Sequence, residues 1–163
     1  MSHWRSGSLR PFPEAVEAPE TIWFALPPER DAEQMWEGLR GRVEADGTAT
    51  VLAVPAYLYD INFGDRVNVM RSEENALVAT GVDHDALNST FRVLLKSDDG
   101  NAWQPLATEL AELGCLLDVI SPRFFALSCS EPLTQEVADR LLALEHNGVL
   151  HYETGRTQLP KHE

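Results

Sequence analysis

The chain has 163 residues, 44% of them apolar, and a formal net charge of −13 from 26 acidic against 13 basic side chains. That length suits one large domain or two small ones with a real core. No apolar run reaches the roughly 18 residues of a membrane span, and so acidic a surface repels phosphate backbones and anionic lipid, which sets aside membrane and nucleic-acid partners.

The first stretch, "MSHWRSGSLRPFPEAVEAPE", lacks the apolar centre of a secretory signal. A cytoplasmic location is the expectation, and two cysteines in the whole chain fit a compartment where thiols stay reduced. Residues 1–19 read as a tail, ordered only where Trp4 and Phe12 find something to pack against.

Residues 20–87 read as a small antiparallel β-barrel or half-barrel. "TIWFALP" is a β-prone run ending at two prolines. Asp46-Gly47 is a two-residue hairpin signal. A turn centred there pairs Val43 with Thr50, Gly41 with Leu52 and Leu39 with Val54 on one inner face. "NFGD" and "SEEN" are further turns, with "RVNVMR" and "ALVATGV" as strands that set Val67 and Val69 opposite Thr80 and Val78.

Residues 88–155 change period. "STFRVLLK" is a strand, and "PLATELAELG" is a helix opened by Pro105 and stopped by Gly114. "CLLDVI" and "RFFALSC" form a hairpin. "TQEVADRLLALEHNG" is a helix N-capped by Thr134 and stopped by Gly148, and "VLHYET" is a last strand. The order β-α-β-β-α-β is that of the ferredoxin-like split motif. The fold class is therefore α+β: a barrel-like first half and a ferredoxin-like second half, followed by a tail at 156–163.

Folding the hairpin about Pro122 sets Cys115 against Cys129, Leu117 against Leu127 and Val119 against Phe125. All six are apolar and share the face that the helices must cover. The other face receives Leu116 with Ser128, Asp118 with Ala126 and Ile120 with Phe124. The two cysteines then read as reduced core residues. Zinc would need further ligands at suitable spacing, and the five histidines are scattered. No metal and no cofactor are expected.

Catalytic and phosphate-binding signatures are missing: there is no GxSxG, GxxxxGK[ST] or GxGxxG. "DHD" at 83–85 and "SDDGN" at 97–101 have some cation-binding character, but both read better as solvated turns. An open ferredoxin-like sheet invites comparison with RNA-binding modules. Residues 88–154, however, hold four bases and ten acids.

Two surfaces remain as candidates. Asn88, Ser89, Thr90 and Arg92 sit where the halves meet, with Asp118 expected beside Arg92. This is either a structural junction or a polar patch for a ligand or partner, since pockets favour such places. The second surface is an acidic face formed by Asp98, Asp99, Glu109, Glu112, Glu136 and Asp139.

The "GDRV" turn, the "NSTFRV" segment, the helix end "ELGC" and the close "LEHNGVLHYETG" together resemble a family of small bacterial proteins catalogued only as a domain of unknown function. The resemblance covers roughly residues 33–155. Family members carry a glycine before the Ser-Thr pair, which "HDALNST" lacks. The resemblance implies the two-part fold and carries no activity. The functional expectation is a non-enzymatic protein that binds a basic protein partner, such as an immunity protein against a basic toxin. The alternatives are a small-molecule binder or enzyme with Arg92 holding an anion between the halves, and a structural or regulatory subunit.

Overall fold

The computed structural model describes residues 1–157 apart from Ser6, Glu29 and Asp31, and apart from the side chain of Trp4. The expected tail at 156–163 falls mostly outside the described residues. The architecture is mixed α+β and rich in strand: a closed five-stranded barrel and a six-stranded sheet, each with its own core.

The barrel is built from β3 (Glu20–Ala25), β4 (Trp36–Val43), β5 (Thr48–Val51), β6 (Arg66–Arg71) and β7 (Leu77–His84). Each strand runs antiparallel to the one before it. With five strands, the first and last therefore point the same way, and closure needs a parallel pair, Ile22 with Leu77 and Trp23 with Val78. Alternation sends Ile22, Phe24, Leu39, Ala49, Val51 and Val67 inward. Gly41 is inward too. A Cβ there would collide with the Ile22 side chain and lie 2.7 Å from the Thr50 carbonyl, so the small barrel closes only with glycine at that place.

Both expected hairpin registers in this half are corrected. Val43 pairs with Ala49, Arg42 with Thr50 and Gly41 with Val51, one residue off the expectation. The loop holds three residues, Ala45, Asp46 and Gly47, with Gly47 at φ +84° and Asp46 Oδ1 accepting the Thr48 N–H at 3.0 Å. A three-residue loop with a left-handed glycine at its end is the next commonest hairpin after the two-residue turn. A slip of one exchanges the faces, so Ala49 and Val51 fill the barrel in place of Thr50 and Leu52. In the next hairpin, Val67 meets Val82 and Val69 meets Ala79, because bulges interrupt the ladder at 66/67 and 68/69.

The sheet contains β1 (Ser2–Arg5), β2 (Ser8–Pro11), β8 (Ser89–Leu95), β9 (Leu116–Ser121), β10 (Phe124–Cys129) and β11 (Leu150–Thr154), ordered β11-β8-β10-β9-β1-β2 with every pairing antiparallel. The N-terminal stretch is thus no tail. It forms a hairpin that extends the sheet past β9, with Ser2 opposite Leu117 and Leu9 against the main core. A four-residue helix, α1 (Pro13–Val16), leads on to the barrel, and the Phe12 ring meets His3 and Phe63 edge-on.

Helices α2 (Trp103–Glu112) and α3 (Thr134–His146) cover one face. Leu106, Leu110, Val137 and Leu141 pack on Phe91, Val93, Leu117, Phe125 and Leu127. Gly114 and Gly148 follow the helices with positive φ, as the expected stops require. The starts differ. Helix α2 begins two residues before Pro105. Thr134 does not cap α3, because a 3-10 turn (Glu131–Leu133) feeds the helix and the Thr134 hydroxyl turns to Ser89.

Candidate functional site

The face of the sheet opposite the helices carries Thr90 and Arg92 on β8 and Glu153 on β11, since Arg92 and Glu153 stand opposite each other. Residues 52–65, between β5 and β6, lie across part of this face. Glu37 anchors their start. It is an acidic residue turned inward on β4, and its carboxylate accepts the N–H groups of Ala56 (2.7 Å), Tyr57 (3.0 Å) and Leu58 (2.9 Å). Three charge-assisted bonds offset the burial of that carboxylate.

The sheet holds the rest of the segment. Thr90 Oγ1 donates to Asn62 Oδ1 at 2.9 Å, and Asn88 Nδ2 donates to the Phe63 carbonyl at 2.7 Å. Arg92 is 3% exposed; its Nη2 donates to the Leu58 carbonyl, and its Nη1 donates to Glu153 Oε1 at 2.8 Å. The Tyr59 ring lies 4.5 Å from the guanidinium carbon, and its hydroxyl bonds Glu153. The buried Asp65 carboxylate accepts from the Asn62 and Ala86 N–H groups, and burial pushes its pKa up. Nearby, Arg156 grips both oxygens of Asp85 at 2.8 Å, which holds the Asp85 carboxyl below the usual carboxylate range.

The structure therefore brings Asn88, Thr90 and Arg92 together at the junction, each engaged in an internal hydrogen bond. Ser89 faces the other way and accepts from Thr134 Oγ1 at 3.0 Å. The expected Arg92–Asp118 pair does not form. Strand β10 lies between their strands, with Ala126 opposite both residues, and Asp118 instead lies 3.6 Å from the N-terminal amino group. What remains open at the junction is a groove of about 260 Å³ lined by Arg92, Leu94, Phe124, His151, Tyr152 and Glu153, with Tyr57 packed on Phe124.

Cys115 and Cys129 are both buried and free, on the helix-covered face. The Cys129 thiol beside Cys115, together with burial, holds Cys115 protonated far above the ordinary cysteine range. The hairpin pairs Leu117 with Leu127 and Val119 with Phe125 as expected, but a bulge sets Phe124 opposite Ser121 instead of Ile120.

On the acidic face, several carboxylates serve the fold. Asp98 pairs with Arg123 at 2.7 Å, Glu109 takes the Arg140 guanidinium, Asp99 accepts the Asn101 N–H and Asp139 accepts from Gln135. Glu112 and Glu136 stand exposed on the outer helix surfaces. In the "DHD" stretch, Asp83 pairs with Arg66 and Asp85 with Arg156. Among the described residues, no three His, Cys, Asp or Glu side chains gather as metal ligands would.

Sequence reasoning passed over the barrel exterior. Trp23 on β3 and Trp36 on β4 are 40% and 46% exposed. The Trp23 ring lies over Gly38, where a Cβ would come within 3.1 Å of it. Register places Trp23 beside Val78 and Val78 beside Met70. Trp23, Trp36, Ser72, Glu74, Ala76 and Val78 line a groove of about 440 Å³. The alternation in "TIWFALP" was the available signal: if Ile22 and Phe24 point inward, Trp23 must point out.

The family model described as "Domain of unknown function (DUF4265)" matches residues 37–152, which span β4 to β11. The chain belongs to this family. No curated protein matches it. Among solved structures, it is similar to a hypothetical protein from Neisseria gonorrhoeae at 13% identity and a TM-score of 0.72, over 86% of this chain and 96% of the other. At that identity the likeness concerns the fold alone. The matched region takes in the Glu37 anchor, the segment it holds, Thr90 and Arg92, but it leaves out the N-terminal hairpin, both groove tryptophans, Trp23 and Trp36, and the Arg92 partner Glu153.

Proposed function

We propose that this is a non-enzymatic recognition protein that binds a basic protein partner, an immunity-type inhibitor of a basic toxin being one form of that role. The observation that carries the reading is the barrel exterior. Two exposed indoles border Glu74, and neither Glu73 nor Glu74 has an ion-pair or hydrogen-bond partner among the described residues. Exposed tryptophans are over-represented at the centres of protein interfaces, and a surface of −13 speeds the approach of a cationic partner. The strand order 4-1-3-2 and the two helices support a ferredoxin-like second half, hydrogen-bonded through Thr90 and Arg92 to the segment that links β5 and β6 of the barrel. A cytoplasmic setting suits the reduced, buried thiols.

The competing ligand site at the junction is less favoured, because Arg92 already spends its Nη1 and Nη2 groups on Glu153 and Leu58. The test is photo-crosslinking in the native host from a reactive residue placed at Ala76. The expected product is a discrete protein with an isoelectric point above about 9, whose yield falls with added salt and with Trp36→Ala. Reversing Glu109, Glu112, Glu136 and Asp139 to Lys should slow association about tenfold if these acids steer the encounter. Capture of acidic proteins only, indifferent to salt, would sink the proposal.

A further inference from the structure

We infer that the groove between Trp23 and Trp36 receives an extended, arginine-bearing segment of the partner, with the guanidinium stacked on an indole and paired with Glu74. This rests on the partner-binding reading above and specifies its ligand.

The barrel is closed, with every strand paired on both sides by β3–β7 closure. A closed barrel has no edge to which a peptide could add as a further strand. Recognition there must use side chains, and the lining supplies two kinds: flat aromatic surface and carboxylate. The rim of the Trp23 ring lies against Gly38 and the side chain is 40% exposed, so part of its aromatic surface is open to a partner. Tryptophan is the strongest aromatic partner for a cation, and guanidinium both stacks on rings and pairs with carboxylates in a planar fork. Glu73 and Glu74 sit at the tip of the β6–β7 hairpin, which is stiffened by Ser72, whose N–H donates to the Ala76 carbonyl (2.9 Å) and whose hydroxyl accepts the Ala76 N–H (3.1 Å). Arg71, the cation beside that tip, is taken up by Asn75 and lies 4.0 Å from Glu20, so it leaves Glu74 to an incoming charge. The remaining lining, Ala76 and Val78, is small and apolar, a flat floor that suits proline or short side chains beside the arginine.

The experiment pans a random peptide library against the full chain and against Trp36→Ala and Glu74→Lys, with affinities of the enriched peptides then measured by tryptophan fluorescence. Both substitutions change exposed side chains, and circular dichroism confirms the fold of each. The expected peptides carry arginine, bind at least tenfold more weakly to either variant, and weaken on replacement of that arginine by lysine. Enriched peptides without a basic residue, binding to either variant as tight as to the parent chain, or no enrichment at all would overturn the inference. If the crosslinked basic partner is found while arginine peptides fail, the partner reading stands and this ligand falls. If arginine peptides bind but no partner crosslinks, the groove chemistry stands and the functional reading falls.

Discussion

Among the described residues, the barrel buries eight around Ile22 and Val67, whereas the sheet with its helices buries fifteen around Phe125 and Leu141. The sheet is covered on both sides: by α2 and α3 on one, and in part by residues 52–65, tied down through Arg92, Thr90 and Glu37, on the other. Its polar residues are thereby turned into fasteners. The barrel fills its inside and leaves its outside bare, so Trp23, Trp36 and Met70 stay exposed with no structural duty in the core. Exposed apolar surface that packing does not require is where a partner is expected.

The comparison can be broken most severely at the larger core. Phe125→Ala, with no exposure to lose and neighbours from both helices, should destabilise by about 3–5 kcal/mol, against about 1 kcal/mol for Ile22→Val in the barrel. Chemical denaturation measures both, and a smaller loss at Phe125 than at Ile22 would reverse the ranking of the two cores.

The next largest effect concerns how the halves are held together. Arg92→Met should cost about 2–4 kcal/mol, since it strands the buried Leu58 carbonyl and frees Glu153. Combined with Glu153→Gln, the loss should be less than the sum, because the two share one interaction. Fluorescence from the barrel tryptophans and from Trp103 should then report separate unfolding transitions where the parent chain shows one. Coincident transitions in the variant would mean that the clamp is not what couples the halves.

Replacing Cys115 or Cys129 with Ser should destabilise by about 1–3 kcal/mol, the cost of a poorly satisfied hydroxyl under the helices. Thiol labelling should find both groups unreactive in the folded chain and reactive on unfolding. Rapid labelling of the native protein would show that the helices do not seal this face.

The smallest effect is in acid. Asp85, whose pKa is lowered by Arg156, contributes stability above the ordinary carboxylate range that is lost as pH falls through its folded value. Asp65, raised by burial, does the reverse: its contribution is fullest in acid and fades as pH rises through its folded value. Asp85→Asn should flatten the stability profile below about pH 4, and Asp65→Asn should flatten it above. The Asp85 change should be less than about 1 kcal/mol, its pair being partly exposed. An unchanged acid limb in Asp85→Asn would show that the Arg156 pair contributes nothing to folding.

How far the candidate sites could be read varied with the distance over which their contacts act. Asn88, Thr90 and Arg92 were recognisable as a polar cluster between two periodic regions, but their engagement was not. Their partners Phe63, Asn62 and Leu58 lie 25 to 34 positions away on an irregular segment that no periodicity announces. The Arg92–Asp118 expectation failed because β10 lies beside β8 and separates it from β9, with Ala126 between the two residues. The tryptophan groove went unnoticed because it draws on β3, β4 and the β6–β7 hairpin, which only barrel closure brings side by side.

The sequence by itself determined the elements and much of their pairing: the change from strand to helix spacing at residue 88, the helix stops at Gly114 and Gly148, the facing cysteines, and a barrel of alternating strands. Those features follow from side-chain periodicity and from glycines, which accept a left-handed backbone without strain, both local causes. Tertiary structure decided the rest. It chose a three-residue loop at 45–47 over a two-residue one and so moved the barrel register by one, closed five strands with a parallel pair, and drew the N-terminal stretch onto the free edge of β9. It also buried Arg92 under residues 52–65 and left the two indoles facing outward. An unpaired strand edge or an uncovered face is satisfied by whichever segment arrives there, and that is settled by the packing of the whole chain.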